Sequence, residues 1–214
     1  MTGGIDLSLK AAIDALAAPG ILVGHRLISA GDEAALMPEE APAFAASVLK
    51  VRRASGAARI IARELLGRLG YAACAVPRSS SGIPLWPDGV TGSLAHDARI
   101  ALAAVALRRD VAALGVDVEP AENLPAELLD VVATPRERAR IAEDPCAGRL
   151  LFAAKEAVYK AVYPLDGIFL EHHDVEVSLA DRQAVVRQDR RVELRFCAAT
   201  HLVAVAFVPA NANS

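Results

Sequence analysis

The chain is short of cysteine, of long apolar runs and of basic charge, and each shortage removes a class of protein. Its three cysteines, Cys74, Cys146 and Cys197, are odd in number and far apart. They form neither a disulfide framework nor a Cys-x-x-Cys metal pair, and a reducing cytoplasm is the expected compartment. Hydrophobic residues, alanine foremost, make up 54% of the 214 residues, yet no stretch comes near what a membrane span needs. Such a span takes roughly 20 uninterrupted apolar residues, so no membrane contact is expected. The segment Met1 to Lys10 carries Asp6 and lacks the basic start and apolar run of a secretory leader, so export is not expected either. A formal net charge of -3 argues against a nucleic-acid binder, which normally shows a basic balance. The length allows one domain or two small, closely packed ones, enough to enclose a site.

Ile21 to Ser29 reads as a strand closed by a turn at Gly31-Asp32-Glu33. From Ser47 to Leu69 the spacing of Val51, Ala54, Ala58, Ile61, Leu65 and Leu69 predicts a helix with one apolar stripe. Its other face carries Lys50, Arg52, Arg53, Arg59, Arg63 and Arg68 against Glu64 alone, an imbalance that asks for an anionic partner. Tyr71 to Asp97, rich in Pro, Gly and Ser, reads as a loop with at most one short strand, and loops of that length are often functional. Arg99 to Leu107 and Ala113 to Glu119 read as strands paired in a hairpin around Arg108-Arg109-Asp110. Thr134-Pro135-Arg136-Glu137 is a helix start with a capping box. A second long helix is predicted over Gly148 to Tyr163, stopping at Pro164. Val175 to Leu179, Ala184 to Arg187, Val192 to Cys197 and His201 to Val208 read as an antiparallel meander. The fold class is therefore α+β, laid out as halves over residues 1–110 and 111–214.

In Gly115-Val116-Asp117-Val118-Glu119, strand alternation puts Asp117 and Glu119 on one face, about 6.6 Å apart. Two carboxylates so placed repel unless a divalent cation joins them. The pattern also suits a strand end whose acids reach solvent. In Phe152-Ala153-Ala154-Lys155-Glu156-Ala157-Val158-Tyr159-Lys160, helical spacing gathers Phe152, Glu156 and Lys160 on one side. Alone, that is also an ordinary surface Glu-Lys pair. Glu171-His172-His173-Asp174 lacks the His-x-x-x-His spacing of a metal site and reads as the structural lead-in to the Val175 strand. Ser93 has no His and Asp partners in a hydrolase motif, and Trp86 reads as a buried anchor.

Together, the Gly-x-Asp-x-Glu strand and the Phe-x-x-Lys-Glu-x-x-x-Lys helix resemble the two signature motifs of the 4'-phosphopantetheinyl transferases. The segment Pro84-Leu85-Trp86-Pro87-Asp88-Gly89-Val90-Thr91-Gly92-Ser93-Leu94-Ala95-His96 is similar to the Pro-x-Trp-Pro-x-Gly-x-x-Gly-Ser-x-x-His stretch of the branch typified by the D component of enterobactin synthetase, the surfactin-type, pseudo-dimeric branch. The basic helix around Arg59 to Arg63 fits that branch's Gly-Arg-x-x-Ala-Arg segment, so the resemblance spans about residues 36 to 177.

The resemblance implies two similar α+β halves, each a long helix on a small antiparallel sheet, with coenzyme A and Mg2+ in the cleft between them. It implies transfer of the 4'-phosphopantetheine group of coenzyme A to a serine of an apo acyl or peptidyl carrier protein, releasing adenosine 3',5'-bisphosphate. Asp117, Glu119 and Glu156 would hold Mg2+, and Glu156 would activate the serine directly or through a metal-bound water. Lys160 would steady the transferring phosphate, and Lys155 is the other matching lysine, for catalysis or for coenzyme A. Arg59, Ser93 and His96 match coenzyme A positions, and the stripe Arg52, Arg59, Arg63 extends the phosphate patch. Arg63 equally suits a solvated helix face, and Arg78 is either a further phosphate contact or an exposed loop arginine. Departures fall on the coenzyme side: Ala95 replaces a common Ser, Ala54-Ser55 a frequent Glu-Phe, and Ala58 a Gly. The chain is longer than the trimeric holo-acyl-carrier-protein synthases, which favours a monomer. The rivals are a magnesium-dependent phosphohydrolase using the same carboxylates and a non-catalytic carrier-binding relative.

Overall fold

The computed structural model describes residues 4–210 except 17, 142, 143 and 145. Two antiparallel sheets make up its frame. The first runs in the order β1 (Ile21–Leu27), β3 (Ile100–Leu107), β2 (Val90–His96). The second runs β4 (Val111–Pro120), β8 (His201–Pro209), β7 (Arg190–Ala198), β6 (Gln183–Val186), β5 (Val175–Ser178). Helix α2 (Leu49–Arg68) packs on the first sheet and helix α5 (Ala147–Asp166) on the second. This is the expected α+β class, and the last four strands are the expected meander.

Strand alternation explains the core. Along β3, Ala101, Ala103 and Val105 face α2, where they meet Ile61, Leu65 and Leu66. Ile100, Leu102, Ala104 and Ala106 face the opposite way, into a cluster shared with Leu114, Val116 and Val118 of β4 and Val203 and Val205 of β8. Ala204 and Ala206 turn to the far side of the second sheet, against Ala154, Ala157 and Val158 of α5. The middle cluster therefore joins the two sheets. A short helix, α1 (Leu7–Asp14), caps it with Leu9 and Ile13, its first turn closed by Leu9 N–H donating to Asp6 at 3.0 Å.

Several expectations need correction. The apolar runs on either side of Arg108-Arg109-Asp110 do not pair as a hairpin: both edges of β3 are already bonded to β1 and β2, so β4 passes into the other sheet. The Pro/Gly/Ser-rich stretch ends at Gly89, because residues 90–96 pair along β3 as a full seven-residue strand. Pro164 does not stop α5: it forgoes the bond to the Lys160 carbonyl, and the helix runs on to Asp166. The helix ends instead at Gly167, whose φ of 70° suits glycine and whose N–H bonds Tyr163 at 2.8 Å. The Gly31 turn opens into a 3-10 turn, Asp32–Ala35, with Asp32 accepting from Arg26 and from the Ser29 amide. Val51 is exposed and does not join the stripe buried by α2. Between the sheets' elements lie α3 (Ala126–Val132), which the sequence reading missed, and α4 (Pro135–Ile141), whose capping box at Thr134 and Glu137 forms as expected.

Candidate functional site

Where the edge strands β2 and β4 meet, α2 and the end of α5 wall off a cavity of about 720 Å3. Val116 N–H donates to Ser93 Oγ at 3.1 Å and ties the two edges together. Arg59, Arg78, Ser93, His96 and Lys160 line the cavity, so five of the sequence candidates converge there from four different elements.

The acidic cluster borders it through Lys160. A Cβ on Gly115 would stand 1.9 Å from the carbonyl oxygen of Ala157 and 2.5 Å from the amide of Ala161, so only glycine lets α5 lie this close to β4. That approach brings Lys160 Nζ to 2.6 Å from Asp117 Oδ1. Asp117 is 7% exposed, and its other oxygen, Oδ2, is buried without a hydrogen-bond partner. Burial raises the Asp117 pKa against the pull of Lys160. Glu119, half-buried, is raised by burial and by the Asp117 charge, while Arg149 at 3.1 Å pulls the other way. Glu156 is raised by burial first, then by repulsion from Asp117 and Glu119, with Lys160 opposing. The Asp117 charge is thus felt by both Glu119 and Glu156. Among the described residues no three His, Cys, Asp or Glu side chains are grouped so that they could by themselves hold a metal ion.

His96 keeps much of its surface in solvent, but the cleft walls strip water from its ring, and this lowers its pKa. Arg59 is almost wholly buried: Nε donates to the Val76 carbonyl at 2.9 Å and Nη1 to the Ser55 carbonyl at 3.2 Å. Burial lowers its pKa to about 10.

Three candidates are placed elsewhere. Arg63 donates to both oxygens of Glu40 at 3.0 and 3.1 Å and to the Ala35 carbonyl at 2.7 Å, which uses its fork inside the protein. Arg52 is half-buried and does not line the cavity, although its Nε is buried without a partner. Lys155, 2% exposed, pairs with Glu137 at 2.7 Å and donates to the His172 carbonyl at 2.8 Å. Lys155 belongs to the lining of a second cavity of about 570 Å3, which it shares with Glu156, Tyr159 and Phe169. Ala95 points into the joining core, so a hydroxyl there would not face the first cavity. The Glu171 to Asp174 segment is a capped 3-10 turn leading into β5, as expected.

Sequence reasoning missed Glu40, Phe44 and Arg149, and read Glu137 only as a helix cap. Each meets its partner 15 to 40 residues away along the chain, a separation that no local spacing encodes.

Residues 39–106 match the family model described as the 4'-phosphopantetheinyl transferase N-terminal domain, and residues 113–207 match that of the 4'-phosphopantetheinyl transferase superfamily. Over 163 residues the chain is 40% identical to 4'-phosphopantetheinyl transferase Svp of Streptomyces mobaraensis, covering 72% of this chain and 66% of that protein. It is 40% identical over 146 residues to 4'-phosphopantetheinyl transferase PptT of Mycobacterium tuberculosis, covering 66% and 64%. It is 39% identical over 84 residues to enterobactin synthase component D of Salmonella typhimurium, covering 36% and 34%. The chain spans just under two thirds of the length of the first two relatives.

Proposed function

Because the chain belongs to the 4'-phosphopantetheinyl transferase superfamily, we propose that it transfers the 4'-phosphopantetheine group of coenzyme A to a serine of an apo acyl or peptidyl carrier protein. The serine oxygen forms a bond to the phosphorus that bears pantetheine, the bond from that phosphorus to the bridging oxygen breaks, and adenosine 3',5'-bisphosphate leaves with the electron pair. The observation that carries the reading is the Lys160–Asp117 ion pair at the cavity edge, beside a wall bearing Arg59, Arg78 and His96, with Asp117 and Glu119 acting electrostatically on Glu156.

The carboxylates suit Mg2+. Asp117 Oδ2 is a buried acceptor with no donor, the Asp117 charge raises the pKa of Glu119 and of Glu156, and the Lys160 ammonium stands in for a cation on Asp117. Magnesium binds through a few carboxylates, substrate phosphate oxygens and water, so a closed cage is not needed. When bound, it supplies positive charge to the diphosphate and its leaving group.

The chain's own residues do the rest. Glu156, made more basic by its surroundings, takes the serine proton. Lys160 holds the transferring phosphate, and Arg59, Arg78 and His96 bind the nucleotide's phosphates through charge-assisted hydrogen bonds. Ser93, through its hydroxyl hydrogen, is a further contact, and Arg52, outside the cavity lining, adds only positive charge along α2. Tyr159 lines both cavities, so a donor whose nucleotide sits in the first can lay its thiol-ended arm toward the second, past Glu156 and Lys155. The halves over residues 1–110 and 111–214 supply opposite walls, consistent with one chain working alone as a monomer. Among the described residues no helix is long and apolar enough to cross a membrane, and the cytoplasm is the proposed compartment.

The test is mass spectrometry of apo carrier proteins after incubation with the chain, coenzyme A and Mg2+. A carrier that gains covalent phosphopantetheine is the expected result. Free phosphopantetheine in solution with every carrier unmodified would instead mark a hydrolase.

A further inference from the structure

Phe44 ends a 3-10 turn, Ala41–Phe44, that Glu40 pins in place. Glu40 is fully buried and accepts from the amides of Met37 at 2.9 Å and Val76 at 2.7 Å, as well as from Arg63. The turn is therefore held firmly where it delivers the Phe44 ring to the wall of the first cavity. Two guanidinium groups stand against that ring. The central carbon of Arg59 lies 4.7 Å from the ring centroid, and that of Arg78 lies 6.0 Å from it.

These two cations come from separate elements, α2 and the loop ahead of β2. Each already uses its Nε on a backbone carbonyl, that of Val76 for Arg59 and that of Gly82 for Arg78. Side by side they repel: Arg63 and Arg78 add to burial in lowering the Arg59 pKa, while the Glu40 carboxylate, 3.8 Å from Arg59 Nε, opposes them for Arg59. The face of an aromatic ring is electron-rich and attracts a cation within about 6 Å. The Phe44 ring thus offsets part of the repulsion and fixes where both groups sit.

Resting on the donor reading above, we infer that Phe44 is a positioning residue for phosphate binding: its ring is a shelf that holds Arg59 and Arg78 with their remaining N–H groups turned toward one phosphate of the donor. An aliphatic side chain of similar volume fills the wall but offers no electron-rich face. Planar guanidinium forks suit a phosphate because they donate in parallel, and that advantage depends on their orientation being set in advance.

Phe44→Leu and Phe44→Met keep most of the volume and remove the ring, whereas Phe44→Tyr keeps it. Affinities of the full chain for coenzyme A and for inorganic pyrophosphate are measured by calorimetry, with thermal midpoints alongside. Leu and Met are expected to weaken both ligands about 5- to 10-fold and Tyr less than about 2-fold, with the KM for coenzyme A rising by more than kcat falls. Lower thermal midpoints with unchanged affinities would reduce Phe44 to packing and overturn the inference, as would equal losses for Tyr and Leu. Wild-type protein that binds pyrophosphate but not coenzyme A, with Leu weakened toward pyrophosphate, upholds the shelf and overturns the donor assignment. Wild-type protein that binds neither overturns both.

Discussion

Asp117 carries a charge where the fold least favours one. Burial raises its pKa and only one of its oxygens has a donor, so loss of water weighs against the charge while Lys160 supports it. Asp117→Asn removes the charge while keeping an acceptor for Lys160. Transfer activity should fall about 100-fold or more, since several kcal/mol of charge stabilisation go with the ligand, while the thermal midpoint holds or rises. A midpoint that drops steeply would mean that the carboxylate supports the fold. The pH dependence has a definite sign. The folded-state pKa values of Asp117, Glu119 and Glu156 lie above the ordinary 3.8 and 4.5, so their contribution to stability is fully present below that range and is lost as pH rises through the raised values. Under the proposed function Mg2+ would bind the ionised acids, so it should raise the midpoint more at neutral pH than at pH near 5, and Asp117→Asn should blunt that difference. At this scale the sequence was legible where a fixed period placed residues: alternation put Asp117 beside Glu119, and the helical repeat put Glu156 beside Lys160. It was opaque for Glu40, whose three donors come from Met37, Arg63 and Val76, and for Lys155, whose buried partner Glu137 lies on another helix.

At the scale of elements, the contact between α5 and β4 decides whether the cluster exists. It rests on Gly115, where any Cβ would meet backbone atoms of α5 and could not be relieved by a side chain moving aside. Gly115→Ala should destabilise the chain by about 3 kcal/mol or more, because backbone must shift, which corresponds to roughly 6 to 12 °C in thermal midpoint. In whatever fraction stays folded, transfer should fall with it, as Lys160 leaves Asp117. A midpoint within about 2 °C of wild type would show that the helix has room after all. The long elements were readable because α2, α5 and the meander each repeat a period over many residues. The hairpin was misread for a topological reason: a turn-like Arg108-Arg109-Asp110 between two apolar runs looks local, but β3 had no free edge to offer. Helices α1 and α3, of eight and seven residues, are too short to carry a convincing repeat.

Across the whole molecule, the two sheets are not separate bodies joined by a linker. They share one apolar cluster, and α1 closes it with Leu9 and Ile13. Leu9→Ala should cost about 2 to 5 kcal/mol, and calorimetry should still record one cooperative transition, because the lost contact belongs to both sheets. Two resolved transitions would argue that each half melts alone. The cavity also draws on both sheets: Arg59 and Arg78 come from the side of the first, whereas Lys160, paired with Asp117 of β4, comes from the helix on the second. The hydrogen bond from Val116 to Ser93 is a polar stitch across that border. A chimera spliced between β3 and β4 from two relatives would keep each half's charges intact yet alter their alignment, so genetic exchange at this junction would test the chemistry before it tested the fold.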